Sequence, residues 1–468
     1  MQKQFNQLLP SWMHIDLNSC FATIEQQANP HLRGLPIAVA AYTTPRGCIL
    51  APSIEAKRFG VKTGMQVREG KSLCPHLLIL PSDPPKYRFV NQALTKLFNE
   101  YTPSVSVRSI DEMLLNFDYL NSQQIKQMWV TRAKDSQTEP HSVDPARIGG
   151  YYARSLGQAR GRTHTNNQLI SFAQEIKTRI KSEIGEWLTV SVGISTNPYL
   201  AKLAAGLHKP DGLDEINGQN ILSILSLLKL VDLPYIKERN EIRLNSVGIK
   251  TPVDFYCATH QQLKAAFQSI NGYYWYLRLH GQSVDEIEWQ RKSIGHQYAL
   301  PKRTSNVSEV EQLLCKLVEK TGRRLRRNNL TAQGIHLSLG YEDGYWHQGH
   351  KLHDPIYTTS ELFTASKQLL EQALPLNPVR SLAITCFNLA ANLYTQTTLF
   401  HDELKKRALT QALDVINDRW GEFSVVPATM LRIQREGKVL DRIAFSGIRD
   451  LAEVVLKEDQ QMEREEIY

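Results

Sequence analysis

The 468-residue sequence lacks the paired cysteines and long apolar runs that mark zinc-binding, disulfide-rich and membrane proteins. Its cysteines include no Cys-x-x-Cys pair, which argues against a zinc site and against a disulfide framework. No run of 18 apolar residues occurs, and the first seven residues lack the apolar stretch of a signal peptide. We therefore expect a soluble protein of the reducing cytoplasm with free thiols. The cysteines are Cys20, Cys48, Cys74, Cys257, Cys315 and Cys386.

The charge of the chain is moderately positive. Its formal net charge is +8 and its sequence pI is about 9.0. This balance fits a polyanionic partner, although many soluble proteins are mildly basic. At roughly 100 to 200 residues per domain, the chain is long enough for three or four domains.

Two adjacent carboxylates, Asp111 and Glu112, lie inside an otherwise apolar stretch at residues 105–117. The stretch alternates as expected for a strand, a hairpin and a second strand. Two acids at such a turn need a cation or a solvent-facing edge. A polar hairpin tip and a metal site are about equally good explanations of this stretch alone.

A third carboxylate, Asp16, ends a short apolar strand and is followed by a turn of small residues. If this strand neighbours the acidic hairpin in one sheet, three carboxylates meet at one edge. Such an oxygen-rich edge is what Mg²⁺ requires. The pattern therefore favours a metal site over a hairpin tip.

Elements around these acids indicate a split βαβ arrangement, with helices packed on a mixed sheet. The sequence predicts helices over 20–27, 86–101 and 169–184 and a strand over 188–195. Residues 120–167 are rich in Gly, Ser, Gln and Thr, and we expect a solvated loop insertion there. The alternative is that its arginines, Arg147, Arg154, Arg160 and Arg162, contact nucleic acid.

The second half of the chain predicts a compact helical region up to about 282 and then a small α+β domain. Strands over 294–300, 335–340, 345–352 and 382–388 and helices over 307–327 and 360–373 give a βαββαβ order. A basic cluster at 323–327 closes the first of these helices. Favourable placement in the helix dipole and a role in clamping phosphates explain that cluster about equally well. Apolar residues at helical spacing from Leu404 to Trp420 predict a final amphipathic helix.

Five motifs along the chain belong together. They are His-Ile-Asp at 14–16, Asn-Pro-His-Leu-Arg-Gly-Leu-Pro-Ile-Ala-Val at 29–39, Glu-Ala-Lys-Arg-Phe-Gly-Val at 55–61, Ser-Ile-Asp-Glu at 109–112 and Ser-Val-Gly-Ile-Ser at 191–195. In order and approximate spacing they resemble the Y-family DNA polymerases, and among them the bacterial translesion enzymes of the UmuC/DinB type. The resemblance covers 11–118 and 168–445.

This resemblance implies an α+β multidomain, right-hand polymerase with a ferredoxin-like palm. The palm would comprise residues 11–19, 87–118 and 168–208, with an insertion at 120–167. The fingers would be 20–86, the helical thumb 209–283, a linker 284–293 and the βαββαβ little finger 294–390. Residues 391–468 would form a C-terminal tail.

The resemblance also implies the residues of the site. Asp16, Asp111 and Glu112 match the catalytic carboxylates that hold two Mg²⁺ ions, with the carbonyl of Leu17 as a further ligand. Phe21 matches the aromatic gate that crowds a ribose 2′-hydroxyl. Lys57 and Lys209 match residues that contact the incoming dNTP. In the tail, Gln396, Leu399 and Phe400 match a peptide that binds the sliding clamp; the alternative is that Leu399 and Phe400 pack the following helix.

The sequence departs from the family pattern at three places. Ile54 stands where many relatives have a Tyr, and Lys57 where they have Arg, so the grip on the triphosphate should be less bidentate. The thumb turn at 234–237 reads Pro-Tyr-Ile-Lys and lacks the usual glycines, which puts its close approach to phosphate in doubt. The insertion at 120–167 has no counterpart that we recognise.

The function implied is template-directed DNA synthesis of low fidelity in translesion synthesis and DNA repair, within the SOS response to damage. No stretch resembles a proofreading exonuclease. The expected partners are primer–template DNA, dNTPs and the sliding clamp, with no membrane, and the expected location is the cytoplasm at the nucleoid. The alternative is a noncatalytic relative that serves as a scaffold for another polymerase. Such relatives typically lack the carboxylates that are present here, so we favour the enzyme.

Overall fold

The computed structural model describes residues 5–118, 166–284, 292–391, 402–421 and 423–432. The chain divides into two compact units. The first contains the described residues up to 284, and the second contains those from 292 onward. Within the described ranges, no helix is both long and apolar enough to span a membrane.

The first unit contains eight strands and eleven helices among its described residues, apart from short 3₁₀ and π turns. Its first part consists of β1 (Trp12–Leu17), α1 (Cys20–Ala28), β2 (Ile37–Ala40), β3 (Ile49–Pro52), α2 (Ile54–Arg58), α3 (Val67–Leu73), β4 (Leu78–Pro81), α4 (Pro84–Asn99), β5 (Val105–Val107) and β6 (Glu112–Asn116). Next come α5 (Asn166–Arg179), β7 (Val190–Ser195), α6 (Pro198–Leu207) and β8 (Leu213–Ile216). The helices α7 (Ile221–Ser226), α8 (Glu238–Asn245), α9 (Pro252–Cys257), α10 (His260–Phe267) and α11 (Asn271–Leu279) follow.

A five-stranded sheet in the order β5-β6-β1-β7-β8 is the centre of the first unit. β1 is antiparallel to both of its neighbours, β6 and β7. Because side chains alternate along a strand, Met13, Ile15 and Leu17 face a large core shared with α1, α4 and α5. Trp12 faces the other side and packs with Ala201 of α6. His14 and Asp16, at the same period as Trp12, therefore belong to the α6 side of the sheet.

Local sequence explains where the helices beside this sheet begin. Asn197 accepts a hydrogen bond from the backbone N of Leu200 at 2.8 Å, and Pro198 occupies the first position of α6. Asp83 caps α4 in the same way, through the backbone N of Lys86, with a proline next. These caps fix where α4 and α6 begin.

Two smaller parts complete the first unit. β2 lies between β3, which is antiparallel to it, and β4, which is parallel. The helices α7 to α11 share their own apolar core, which includes Leu233, Phe255 and Trp275. The predicted compact helical region is thus present.

The second unit is the predicted βαββαβ domain followed by a helix. It comprises β9 (Ser293–Thr304), α12 (Val307–Arg327), β10 (Leu330–Gly340), β11 (Tyr345–Ile356), α13 (Thr359–Gln372), β12 (Val379–Ala391) and α14 (Asp402–Trp420). Its antiparallel sheet has the order β11-β10-β12-β9. α12 and α13 share a core with the inward side chains of this sheet. The α+β multidomain fold expected from the sequence is confirmed.

Two expectations need correction. β8 lies within the range 209–283 assigned to the thumb, yet it pairs in parallel with β7, so the five-stranded sheet extends past the predicted boundary at 208. α5 starts at Asn166, so the last two residues of the predicted loop insertion are helical. The rest of that insertion, 120–165, lies outside the described residues.

For the basic cluster at the end of α12, which the helix dipole and phosphate clamping explained about equally well, the structure shows arginines that are paired. Arg326 donates to both carboxylate oxygens of Asp414 at 2.6 and 2.7 Å, and Arg323 donates to Asp418 at 2.7 Å. Arg327 also pairs with Asp418, and Arg324 donates to the carbonyl of Gly295. The cluster therefore docks α14.

The predicted final helix exists as α14, but it packs through its polar face. Asn417 is buried, and Asp414 and Asp418 meet the arginines of α12. Leu409 and Trp420, two members of the apolar stripe that predicted the helix, are 63% and 71% exposed. Helical spacing thus identified the element but not the face that contacts the domain.

Candidate active site

Strand pairing brings the three predicted carboxylates to one edge of the five-stranded sheet. Asp16, near the end of β1, lies directly opposite Glu112, the first residue of β6. The backbone N of Leu17 donates to the carbonyl of Asp111 at 2.8 Å, which extends the pairing by one residue. The hypothesis that these strands are neighbours is correct, and it follows that the acids share one edge.

The acidic hairpin is held by its own hydrogen bonds and by α4. The backbone N atoms of Arg108 and Ser109 donate to the carbonyl of Glu112 at 2.8 and 3.1 Å. Ser109 Oγ donates to the Asp111 carboxylate. From α4, the buried Asn91 Nδ2 donates to the carbonyl of Ile110 at 2.9 Å. The two acids are thereby presented on a fixed turn.

Close packing of α6 completes the site on its side of the sheet. Gly193 of β7 lies opposite His14, and a Cβ placed there would come within 2.1 Å of the carbonyl oxygen of Ala201. Only glycine therefore allows α6 to approach β7 this closely. This approach carries Lys202 to the carboxylates, where its Nζ donates to Glu112 Oε2.

Three side chains of this edge could ligate one metal ion. The closest ligand atoms of His14, Asp16 and Glu112 all lie within 4.8 Å of one another. His14 Nε2 is buried, 3.8 Å from Glu112 Oε2, with no hydrogen-bond partner in the described part of the chain. Burial, reinforced by the charges of Lys202, Lys209 and Arg108, lowers the pKa of His14 to about 3, so its imidazole is neutral.

The pKa of Asp16 reflects how close its carboxyl lies to those of Asp111 and Glu112. Burial raises the pKa of the Asp16 carboxyl, Lys209 lowers it, and the charges of Asp111 and Glu112 raise it again. Burial, with the charges of Asp111 and Asp16, also raises the pKa of the Cys20 thiol well above its usual range. Crowded carboxylates rich in oxygen donors fit a hard divalent cation such as Mg²⁺.

Two lysines predicted from the sequence face the same edge. Lys209 Nζ lies 2.6 Å from Asp16 Oδ2. Partial loss of solvent and then the charge of Lys209 lower the pKa of Lys57, whereas Asp16 and Asp111 act to raise it. The segment that carries Lys209 is tied to β1, because the backbone N of Asp211 donates to Asn18 Oδ1 at 2.7 Å.

Phe21, in the first turn of α1, is buried and stacks on Tyr87 of α4. The two ring centroids are 4.5 Å apart and the rings are inclined by 17°. The Tyr87 hydroxyl donates to Glu25 Oε1 at 2.8 Å, and Lys86 Nζ lies 2.7 Å from Glu25 Oε2. Phe21 directly follows Cys20, whose thiol senses the charges of Asp16 and Asp111.

Comparison with known proteins decides the family. The impB/mucB/samB family matches residues 15–206, and the C-terminal domain of that family matches 291–399. A DNA polymerase IV from Pelotomaculum thermopropionicum is 30% identical over 423 residues, which cover 89% of this chain and 94% of that protein. The chain belongs to the Y family of DNA polymerases.

Further comparisons agree with this membership. A DNA polymerase IV from Moorella thermoacetica is 29% identical over 432 residues, or 89% of this chain and 95% of that protein. A solved Y-family DNA polymerase chimera has a TM-score of 0.63 and 23% identity, and the match covers 81% of this chain and 99% of that one. The latter likeness concerns the fold. As a Y-family member, the chain is a DNA-directed DNA polymerase, as the sequence motifs implied.

The structure of this Y-family chain brings most of the predicted site residues together. Asp16, Asp111 and Glu112 share one edge, and Lys209 and Lys57 carry charges close enough to affect it. Assignment of the Leu17 carbonyl as a metal ligand stays a prediction. Gln396, Leu399 and Phe400 lie outside the described residues, so the clamp peptide also stays a prediction.

Sequence reasoning missed several neighbours of the carboxylates. His14 could have been found from strand alternation, since it lies two residues before Asp16 and so on the same face. Lys202 is the one charged residue of α6, which is otherwise apolar apart from Tyr199 and Gly206, and a lone charge on a buried helix is a useful signal. The Asn18, Asn91 and Tyr87 contacts depend on tertiary structure and have no local signal.

Proposed function

We propose that this polymerase is a low-fidelity, template-directed enzyme of translesion synthesis and DNA repair, which uses two Mg²⁺ ions and has no proofreading activity. The observation that carries the proposal is the pairing of Asp16 with Glu112, with Asp111 adjacent and lysines facing the same edge. Three carboxylates suffice for two ions once substrate phosphates and water complete the coordination. When bound, such ions activate the primer 3′-hydroxyl and neutralise the leaving pyrophosphate.

Each carboxylate has a proposed role that follows from its position. Asp16 and Asp111 would hold the two ions, with the carbonyl of Leu17 as a further ligand. Glu112, at the start of β6, would serve mainly the ion near the primer terminus. The hairpin bonds around Ser109 and Ile110 would keep Asp111 and Glu112 in place during the reaction.

Lys209 and Lys57 would bind the triphosphate of the incoming dNTP. Both ammonium groups are near carboxylates that draw them to this edge, and Lys209 already reaches Asp16. A lysine offers a point charge and no planar fork, and Ile54 offers no hydroxyl, so contacts to the triphosphate would be less directional here than with Arg and Tyr. Weaker binding of the correct dNTP is compatible with DNA synthesis of low fidelity.

Phe21 would act as the sugar gate. Its ring is held by the stack on Tyr87, so it cannot yield easily to a larger ribose. The proposed exclusion of a 2′-hydroxyl depends on shape alone, because a phenyl ring offers no hydrogen-bond partner.

The domain assignment follows from the same family pattern. We assign the five-stranded sheet to the palm, β2 to β4 with their helices to the fingers, and α7 to α11 to the thumb. The βαββαβ unit would be the little finger. The formal net charge of +8 suits primer–template DNA as the partner, and with that partner we expect the activity at the nucleoid.

The tail would attach the polymerase to the sliding clamp through Gln396, Leu399 and Phe400. The support is the sequence Gln-Thr-Thr-Leu-Phe at 396–400, two residues before α14. Leu and Phe side chains of such a peptide would fill an apolar pocket on the clamp. Pull-down of the full-length protein by the clamp, with Leu399 and Phe400 changed to Ala, tests this contact.

Primer extension on paired templates tests the proposed function. With Mg²⁺ and dNTPs, we expect the wild type to extend a primer on an undamaged template and past a single bulky or abasic lesion. Mismatched primer ends should be extended and not excised. Extension that always stops at lesions would contradict the translesion role, and no extension on either template would favour the noncatalytic scaffold.

A further inference from the structure

Lys202 occupies an unusual position for a lysine. It is the one charged residue of α6, and its neighbours Ala201 and Leu203 are buried. Its side chain is 22% exposed, and its Nζ donates to Glu112 Oε2, whose side chain is similarly half-buried. A half-buried ammonium group needs a partner to offset its lost hydration, and Glu112 provides one.

A tyrosine of the thumb turn covers the same ammonium group. Lys202 Nζ lies 5.9 Å from the ring centroid of Tyr235, within the range of a cation–π contact. The ring of Tyr235 also lies 6.5 Å from that of the buried Tyr199 in α6. Tyr235 thereby links the turn at 234–237 to the carboxylate edge through a single lysine.

The backbone conformation of Tyr235 is unfavourable for a residue with a bulky side chain. Its φ is 65°, in the left-handed region that glycine adopts freely and that a bulky residue adopts at a cost. A strained, non-glycine residue beside an active site points to a use for its side chain. Here the ring contacts the lysine that binds a proposed metal ligand.

His14 cannot replace Lys202 as the cation that holds Glu112. Its Nε2 is 3.8 Å from Glu112 Oε2, which is too far for a hydrogen bond. Of the other two lysines at this edge, Lys209 is bound to Asp16, and Lys57 interacts with the charges of Asp16 and Asp111. Within the described residues, the orientation of the Glu112 side chain therefore depends on Lys202.

We propose that Lys202 is a positioning residue of the metal site, which holds the Glu112 carboxylate in place and competes with a divalent cation for it, while Tyr235 keeps the ammonium group in reach. This rests on the proposed role of Glu112 as a metal ligand. A cation that binds Glu112 competes with the ammonium group for the negative charge of its carboxylate. Lys202 thus makes metal binding weaker in the free enzyme and couples it to the position of the thumb turn.

The size of this competition lies between two known limits. Fully exposed ion pairs contribute almost nothing, whereas breaking a buried pair has a large effect. For two half-buried side chains we expect removal of the ammonium group to tighten divalent-cation binding roughly tenfold. Loss of the Tyr235 ring removes one partly exposed cation–π contact and should tighten divalent-cation binding only about threefold.

Binding of Mn²⁺ to the full-length, DNA-free protein tests the inference, with free Mn²⁺ measured by electron paramagnetic resonance. Lys202→Met should bind Mn²⁺ roughly tenfold more tightly than the wild type. Lys202→Arg keeps the charge and should match the wild type. Lys181→Met is the matched control, because Lys181 also pairs with an acid, Asp211 at 3.1 Å, and its removal changes net charge equally. It should shift the affinity by less than about twofold, since its charge is exposed and screened.

Tyr235 gives a test that leaves α6 intact. Tyr235→Gly suits the positive φ and should fold well, yet it should tighten Mn²⁺ binding about threefold. Tyr235→Phe keeps the ring and should behave as the wild type. A purely structural role of either residue would change melting temperature without this pattern of affinities.

Two results would overturn the inference and separate it from the proposed function. If Lys202→Met binds Mn²⁺ with wild-type affinity, or if Lys181→Met tightens binding as much, Lys202 does not compete for Glu112. Asp16→Asn combined with Asp111→Asn should abolish binding in an otherwise wild-type chain. If binding survives that change, the carboxylate edge is not the metal site, and both the proposed function and this inference are contradicted.

Discussion

Phe21 and Tyr87 show how a single side chain beside the carboxylates is fixed by others. The stack at 4.5 Å holds the Phe21 ring, and the hydroxyl of Tyr87 is itself bound to Glu25. Lys86 satisfies the second oxygen of Glu25. The Phe21 ring is therefore supported by a polar chain of contacts and not only by its apolar surroundings.

Replacement of Phe21 should relax the choice of sugar. We expect Phe21→Ala to increase incorporation of ribonucleotides relative to dNTPs by roughly 10- to 200-fold, the range for a change in pocket fit of a few carbon atoms. The ratio of kcat/KM for dNTP and NTP in primer extension measures this selectivity. Tyr87→Phe keeps the stack and serves as the control, with selectivity near that of the wild type. An unchanged ratio in Phe21→Ala would remove this residue from the gate.

Sequence reasoning worked for residues whose signal is local. Asp111 and Glu112 interrupt an apolar alternation, and Asp16 ends an apolar strand, so all three acids could be predicted. The cations near them could not, apart from Lys57 and Lys209, which the family motif supplied. Lys202 reaches Glu112 only because Gly193 allows α6 to pack closely on β7, a tertiary effect.

Among the elements, α14 provides a clear case of docking by charge. Its Asp414 binds Arg326 through two hydrogen bonds, its Asp418 binds Arg323 and Arg327, and its Lys406 pairs with Glu361 of α13. Each of these contacts joins α14 to an element of the βαββαβ unit. The basic cluster of α12 is thus mainly structural.

This docking should be sensitive to acid. Partial burial raises the pKa of Asp418, but Arg327 and Arg323 lower it more, so its net pKa is below the usual 3.8. A carboxyl with a lowered folded-state pKa stabilises the fold above its unfolded pKa and loses that effect as the pH falls through the folded value. The contribution of Asp418 should therefore be complete at pH 7 and decline below about pH 4.

Asp418→Asn should reveal this pH dependence. At pH 7 we expect the melting temperature of the second unit to fall by about 2–4 °C, corresponding to roughly 1 kcal/mol. Differential scanning calorimetry of the full-length protein at pH 7 and at pH 3 measures the difference, which should shrink at the lower pH. Asp354→Asn, at an exposed position of β11, is the control and should change little. An equal effect of Asp418→Asn at both pH values would contradict docking by these ion pairs.

Element bounds were predictable where periodicity is strong and less so where pairing is distant. α12 spans Val307–Arg327, as the sequence predicted, because its caps and apolar spacing are local. β9 and β12 are longer than predicted, since pairing in the sheet extends them past their apolar centres. The exposed stripe of α14 could not be foreseen, because the arginines that bind its polar face lie about 90 residues earlier.

At the scale of the whole molecule, family membership and site geometry support each other. The 30% identical relative is matched over 94% of its length, so the likeness is not confined to one motif. The βαββαβ unit was predictable from periodicity. The extension of the central sheet past residue 208 was not, because nothing in the four residues of β8 indicates their parallel pairing with β7.

The central proposal is that the edge formed by Asp16, Asp111 and Glu112 performs nucleotidyl transfer. A single-turnover primer extension assay with Mg²⁺ and dNTPs compares the wild type with Asp111→Ala. Asp118→Ala is the control, since Asp118 lies beyond the opposite end of β6 and binds Ser11. Binding of each protein to primer–template DNA is measured in parallel.

We expect Asp111→Ala to lose extension by about 10³-fold or more while DNA binding is retained, because the lost carboxylate acts in the reaction and not in docking. Asp118→Ala should extend primers at close to the wild-type rate. Equal extension by Asp111→Ala and the wild type would contradict the proposed site.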